Sequence, residues 1–395
     1  MTSSTGFKSK SVAIVGAGPA GCMCAYFASQ NAQVTLFDFS KPLQTLLYTG
    51  GGRCNLAHAE YDFKELAKFY PRGEKFLYSV FSRFSTCETI EFFNSIGVNT
   101  YVQEDLRIFP ISNSAEDVRR KFLGELSHCA FKKEKVLVVE KWEKNFRLKT
   151  EKNDYYFDEV VIAIGGHAGF LLAENLGHKI IKPKPALTGL ITAENFKLIQ
   201  GVSLKNVLAE VLFENTLVSK IQDDILFTHN GISGPLTYQI SSLCARLDYS
   251  DRNPIIIKLD FVKKEIDLQS MFNLNPKKDI KNLLVDFVPK SLAEYILKLN
   301  RVNSEQKCCD INGQTRDLIL KSLLEFKITA ISTTKEGEVV TSGGVCLDEI
   351  DSKTMQSKLV EGLYFCGEVI DVDGFCGGFN LQNCWSTGFV SGNAL

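Results

Sequence analysis

A glycine turn seated between an apolar strand and a helix constrains this chain more than any other feature. The segment SVAIVGAGPAG carries G-x-G-x-x-G as Gly16, Gly18 and Gly21, directly after the strand pattern of residues 11–15. In that setting Gly16 permits a tight turn, Gly18 lets backbone approach a pyrophosphate, and Gly21 lets the helix pack on the strand. Pro19 and Ala20 open the helix, whose unpaired N–H groups meet phosphate charge. A second strand is expected over residues 33–39. Asp38 lies in it, 22 residues after Gly16, where an acid accepts hydrogen bonds from an adenosine ribose. Strand, helix and second strand make a βαβ opening for a dinucleotide. The motif alone does not separate FAD from NAD.

At 395 residues the chain exceeds one ordinary core, so a main domain with an insertion is expected. The net charge of −1 lacks the basic footprint of proteins that grip long nucleic acids, and no nucleic-acid partner is expected. The opening MTSSTGFKSK is polar, and no segment offers the run of about 18 apolar residues that a membrane span needs. A cytoplasmic protein without membrane contact is expected. The twelve cysteines follow neither a disulfide framework nor paired metal knuckles, so free, buried thiols and no metal site are expected. Cys22 and Cys24 point to different faces of one helix, and Cys308 and Cys309 are adjacent; neither pair suits redox exchange.

Helical patterns fill residues 62–126, one of them closed by Gly97. Residues 136–164 alternate in short runs that predict a small β-meander returning to a parallel strand. The expected parts are residues 1–188, a β-rich insertion of short strands over 189–262, a helical subdomain over 263–324, a β return over 325–340, and a closing part over 341–395. Ser291 and Glu294 have the capping-box spacing of a helix start.

Three more glycine segments bear on the cofactor. In YTGGGRCN, Gly51 and Gly52 bring backbone near a ligand, with Arg53, Cys54 and Asn55 following. VVIAIGG is an apolar strand ending in Ala163, Gly165 and Gly166. In GLYFCGEVIDVDGFCGGFNLQNCWSTG, Gly367 and Glu368 end a strand, and Gly377 and Gly378 precede a helix.

GGGRCN, FTHNGISGP, TSGGV and GEVIDVDGFCGGFNLQ occur together and in order, and with them nearly the whole chain resembles the BaiN-like, or aminoacetone-oxidase-like, family of FAD-dependent oxidoreductases. The resemblance implies an α/β, Rossmann-type FAD-binding domain built from both chain ends, interrupted by a β-barrel-like insertion containing a helical subdomain. It places Glu368 and Asp371 near the ribitol and pyrophosphate, and the backbone of Asn380 and Leu381 at the flavin ring. It sets Val136 backbone against the adenine, and Gln44 and Thr45 along the phosphates. The sequence departs from the family at those last two positions, where an Arg-Lys pair is usual, and at Asp38, where Glu is usual. A glycine- and serine-rich loop that the family carries after Gly166 is shortened here.

Arg107, in LRIFPIS, suits an anionic substrate group or a surface ion pair. His229, in FTHNGISGP, suits proton transfer or a structural hydrogen bond. The leading expectation is an FAD-dependent oxidoreductase of a small organic substrate. NAD(P)H is available as electron donor without a second Rossmann domain, since only one G-x-G-x-x-G is present and no CxxxxC accompanies it. The alternatives are a flavin-dependent C=C reductase of a larger apolar substrate, and a regulatory or structural flavin-binding protein with little turnover.

Overall fold

In the computed structural model, which describes residues 10–262, 268–334 and 340–395, the first apolar run becomes β1 (Ser11–Val15). Val12 to Val15 are wholly buried, as in a strand covered on both faces. The chain divides into two compact units, residues 1–184 with 341–395, and residues 185–340.

In the first unit, β1 is followed by α1 (Pro19–Ala28), β2 (Gln33–Asp38), β3 (Ala57–His58), α2 (Phe63–Ala67), α3 (Glu74–Phe81) and α4 (Thr86–Ser95). Then come β4 (Thr100–Val102), β5 (Arg107–Pro110), α5 (Ala115–Glu125), β6 (Ala130–Lys133) and the meander β7 (Val136–Trp142), β8 (Asn145–Thr150) and β9 (Asp154–Phe157). β10 (Glu159–Ile162), α6 (Gly166–Asn175) and β11 (Ile180–Ala186) lead out of it.

The second unit holds β12 (Leu190–Thr192), β13 (Ser203–Phe213), β14 (Thr216–Thr228), β15 (Gly231–Ser233), α7 (Pro235–Cys244) and β16 (Ile255–Asp260). Its helices α8 (Leu268–Leu274), α9 (Ile280–Leu284), α10 (Lys290–Leu299) and α11 (Gly313–Leu324) precede β17 (Phe326–Thr333). The chain then returns to the first unit through β18 (Val340–Val345), β19 (Leu363–Phe365) and α12 (Phe379–Gly392).

The main sheet of the first unit is fully parallel, in the order β19-β10-β1-β2-β6. Strands from both ends of the chain therefore share one sheet, with β10 between β19 and β1. α1 and α12 pack closely against each other because the contact is built from small residues. A Cβ on Gly388 would lie 2.5 Å from the Ala20 carbonyl oxygen, and one on Gly392 2.6 Å from that of Cys24. The apolar core on this side of the sheet joins Val12, Ile14, Met23, Phe93, Phe122 and Trp385. Opposite it, Ala13, Val15, Phe37, Ile162 and Phe365 pack with Tyr70, Phe81 and Phe379.

The second unit is a closed antiparallel barrel in the order β12-β15-β14-β13-β16-β17, with its own core running from Leu190 to Ala330. Two of its strands correct the expectation of short ones: β13 and β14 span 11 and 13 residues. Register shifts between Leu204 and Val207 and between Val211 and Leu212 bend this long hairpin, which lets it wrap into a barrel.

Smaller corrections concern element ends. β2 stops at Asp38, leaving Phe39 outside it. Ser291 is not a helix cap, because α10 starts one residue before it with Pro289 at the N-cap, and Ser291 lies inside the first turn. The capping box that does form is Ser85 with Glu88, at the start of α4. Gly97 follows α4 with φ +79°, in the left-handed region that closes helices. The expected helical start at residues 263–267 lies outside the described residues.

Candidate cofactor and substrate site

The carboxyl ends of β1, β10 and β19 converge on one edge of the sheet, the edge where open α/β folds bind ligands. Gly16 turns the chain there with φ +112°. A Cβ on Gly21 would sit 1.9 Å from the Gly16 carbonyl oxygen, so the turn and the helix tolerate no side chain at that point. Gly367 is next to the first turn of α1, where its Cβ would meet that of Ala20 at 2.6 Å. Its N–H donates to Thr387 Oγ1 at 2.9 Å, which ties β19 to α12.

Asp38 braces the glycine turn. Its Oδ2 accepts the Ala17 N–H at 2.8 Å, and its Oδ1 accepts the N–H and hydroxyl of Ser40. The Leu43 N–H donates to the Ala17 carbonyl at 2.8 Å, which brings Gln44 and Thr45 beside the turn. Lys133 is the parallel-ladder partner of Asp38, and Val136 follows three residues later at the start of β7. Gln44 and Thr45 are thus held beside the same turn. Ala163 donates its N–H to the Val15 carbonyl at 2.8 Å, and Gly165 caps α6.

Three of the glycines the sequence singled out are open: around Cβ atoms placed on Gly18, Gly51 and Gly166 there is nothing within 4 Å. Asn55 Oδ1 is buried and has no hydrogen-bond partner among the described residues. Buried polar atoms are almost always satisfied, so an unsatisfied acceptor beside open glycine backbone fits a missing ligand. Gly51 and Gly52 both have positive φ, as does Cys54 at +64°. Burial pushes the Cys54 thiol up to about 12, so it is no nucleophile at neutral pH. Glu368 is exposed and faces Gly165, whose added Cβ would lie 3.2 Å from its own. Its surroundings, and then the Asp373 charge, raise its carboxyl above the ordinary value. Asp371 is buried nearby in sequence, its N–H donating to the Val345 carbonyl at 3.0 Å.

The loop before α12 is fixed from several sides. Gly378, at φ +101°, lies so close to β3 that a Cβ would be 2.5 Å from the Ala57 carbonyl oxygen. Asn380 spends its side chain on this loop, accepting the Gly374 N–H at 2.8 Å and donating to the Gly374 carbonyl at 2.9 Å. Tyr70 donates its hydroxyl to the Phe379 carbonyl at 2.6 Å, and Arg72 forms a two-point ion pair with Asp373.

Arg107 is on β5, directly across the ladder from His58 on β3. It is paired with Asp105, its Nε donating to Oδ2 at 2.8 Å. Two residues along β5, the Phe109 ring carries the Arg53 guanidinium at 4.1 Å and lies 5.6 Å from that of Arg107. His58, Arg107, Phe109 and Arg53 thus form a cationic and aromatic surface. His229 sits at the exposed tip of the β14–β15 hairpin in the second unit, and its expected structural hydrogen bond finds no partner among the described residues. All twelve cysteines are free, seven of them buried and Cys87, Cys309 and Cys376 exposed. No helix among the described residues is long and apolar enough to cross a membrane.

Sequence reasoning missed His58, Arg72, Tyr70 and Thr387. The first stands alone in a strand of two residues, and the others act on loop segments some 300 residues or, for Thr387, 20 residues away.

The family described as the HI0933-like protein Rossmann domain matches residues 10–394. The chain belongs to the HI0933-like family. Membership makes the first unit a Rossmann-type FAD-binding domain and the chain a member of a flavin-dependent oxidoreductase class. Among its relatives, a ribosomal RNA dihydrouridine synthase of Escherichia coli is 29% identical, over 97% of each chain. A 3-dehydro-bile acid delta(4,6)-reductase of Clostridium scindens is 27% identical, over 97% of this chain and 98% of that one. Among solved structures, the open conformation of a flavocytochrome c3 fumarate reductase aligns with a TM-score of 0.49 at 14% identity, covering 98% of this chain and 78% of that one.

Proposed function

We propose that this HI0933-like protein binds FAD extended along the carboxyl edge of its parallel sheet and reduces a C=C bond conjugated to a carbonyl in a small, anionic organic molecule. The observations that carry the cofactor assignment are the open backbone at Gly18, Gly51 and Gly166 and the unsatisfied Asn55 oxygen.

The amides of the Gly16 to Gly21 turn, with Pro19 and Ala20 at the head of α1, would hold the diphosphate, and Gln44 and Thr45 would flank it. Asp38 has lone pairs left for the ribose after bracing the turn. Val136 main chain would meet the adenine. Gly52, Arg53, Cys54, Asn55, Ala163, Gly165 and Gly166 line the path toward Gly367, Glu368 and Asp371. Glu368 would accept hydrogen bonds from ribitol hydroxyls. Gly377 and Gly378 bring the first amides of α12, at Asn380 and Leu381, to the ring. Bound FAD would supply hydride or electron transfer, and the helix terminus favours negative charge on the reduced ring.

The relatives' names support the reaction. One describes forming a dihydro product from a uridine, the other reducing double bonds at positions 4 and 6 of a 3-dehydro bile acid. Both add two electrons and two protons to a C=C bond of an unsaturated carbonyl compound. Arg53, which no carboxylate pairs with among the described residues, and Arg107 suit an anionic group on the substrate. The net charge of −1 favours a free metabolite over RNA. NAD(P)H donates at the same open edge, in the cytoplasm.

The test is an absorption spectrum of the purified protein, anaerobic bleaching with NADH or NADPH, and reoxidation by conjugated enones with and without a carboxylate. Reoxidation by the carboxylated enones supports the reading. Reoxidation by uridine-containing RNA alone would move the substrate to nucleic acid, and a yellow protein that no donor bleaches would favour a non-catalytic flavoprotein.

A further inference from the structure

His58 occupies the junction of β3 with the loop that opens α12. Directly opposed residues of an antiparallel pair share a face, so His58 and Arg107 project from the same side of their small sheet. The Nδ1 atom of His58 lies 3.3 Å from the Gly377 carbonyl oxygen. A carbonyl oxygen only accepts, so Nδ1 carries the hydrogen, and in the neutral ring Nε2 keeps its lone pair.

The ring is also held by stacking. It lies on Phe379, the first residue of α12, with centroids 4.6 Å apart and planes at 30°, and Phe379 in turn lies on Phe69 at 4.5 Å and 12°. Among the described residues Nε2 has no hydrogen-bond partner. An imidazole fixed at one nitrogen and unengaged at the other, at the start of α12, has the arrangement of an oriented proton carrier.

We propose that His58 exchanges a proton with the substrate through Nε2, making it the catalytic acid of C=C reduction and the base of the reverse reaction. This rests on the reductase reading above. In the step, the substrate's β-carbon receives a hydride, two electrons, from a reduced flavin. The π pair of the C=C bond moves to the α-carbon and forms a C–H bond with the proton leaving Nε2. The flavin is oxidised by two electrons, the alkene is reduced by two, and the neutral imidazole regains its proton from water.

Neighbouring groups suit the cycle. Arg107 is permanently charged and paired with Asp105, so it binds without exchanging protons. Tyr70, beneath Phe379, is buried and its hydroxyl is held far from ionisation. The charged groups facing His58 are Asp105 and Glu60, which favour its protonation, and Arg107, which opposes it. Burial dominates and lowers the ring's proton affinity below 6.5, which makes the imidazolium a stronger acid. Reduction needs the imidazolium and declines as pH rises through that value; the reverse reaction needs the neutral ring and rises.

The experiment uses full-length His58→Asn, whose amide still donates to Gly377 but carries no exchangeable charge. FAD content and anaerobic bleaching by NAD(P)H should match the wild type. Reoxidation of the reduced protein by a carboxylated cyclohexenone should slow by about 100-fold or more and lose its pH dependence. Histidine-ring NMR of the cofactor-free protein should show one titration, absent from the variant, with a midpoint below 6.5 and the hydrogen on Nδ1. Wild-type reoxidation rates and pH profile in the variant, or a ring protonated at Nε2 when neutral, would overturn the proposal. Failure of every enone to reoxidise the reduced wild type would sink the reductase reading and this role together, and would be visible before the variant is made.

Discussion

Arg72 and Asp373 face each other in a two-point ion pair whose side chains are 10% and 0% exposed, although 301 positions separate them in the chain. The pair clasps the loop before α12 to the segment after α2, and the Phe375 N–H donates to the Phe69 carbonyl beside it at 3.0 Å. It also sets the charge beside Glu368, whose carboxyl Asp373 helps to raise.

Removing one partner of such a pair is expected to cost more than removing both, because the survivor keeps its desolvation penalty. Arg72→Met should lower the unfolding free energy by about 3–5 kcal/mol in urea titrations, with weaker FAD retention because the loop is released. The double variant Arg72→Met with Asp373→Leu should recover part of that loss.

Gly21 makes a contrast between folding and binding testable. An added Cβ meets the Gly16 carbonyl oxygen at 1.9 Å, so Gly21→Ala must push α1 from β1. The expected loss is about 1–3 kcal/mol or more, read as a lower melting temperature of the cofactor-free protein.

Stability should depend on pH through His178. Its Nδ1 lies 3.0 Å from Glu349 Oε2 and its Nε2 2.9 Å from Ser357 Oγ. Burial lowers its proton affinity below 6.5, with Glu349 opposing. The unfolded chain then binds the proton first, so stability is fully present above 6.5 and falls as pH drops toward the folded-state value. Urea midpoints between about pH 7.5 and pH 5.5 should decline, and His178→Gln should flatten that decline while leaving the part due to His58. A steeper decline in the variant would contradict this sign.

The glycine turn and α1 were legible in sequence because each depends on neighbours a few residues away, whereas Asp38 was read as a ribose acceptor and its bracing of the Ala17 amide was not foreseen. The insertion's β character was legible too, and the family resemblance implied its barrel, but its strand lengths and the pairings that close it were not. Closure depends on register between strands as distant as β12 and β17, and a bulge at Leu204 leaves no mark in an alternating pattern. Ser291 misled because Pro289 competes for the cap with a fixed φ, which spacing alone does not weigh. His58 was invisible: its neighbours Arg107, Gly377 and Phe379 come from three other places in the chain.

The central claim is that the diphosphate of FAD rests on main chain at Gly18, and one titration addresses it. Gly18 has extended backbone and open space around its Cβ position, so Gly18→Val should leave the cofactor-free fold and its melting temperature unchanged. FAD fluorescence titrated with each protein should show binding by the wild type and none by the variant. Equal FAD affinity in a folded Gly18→Val protein would contradict the account.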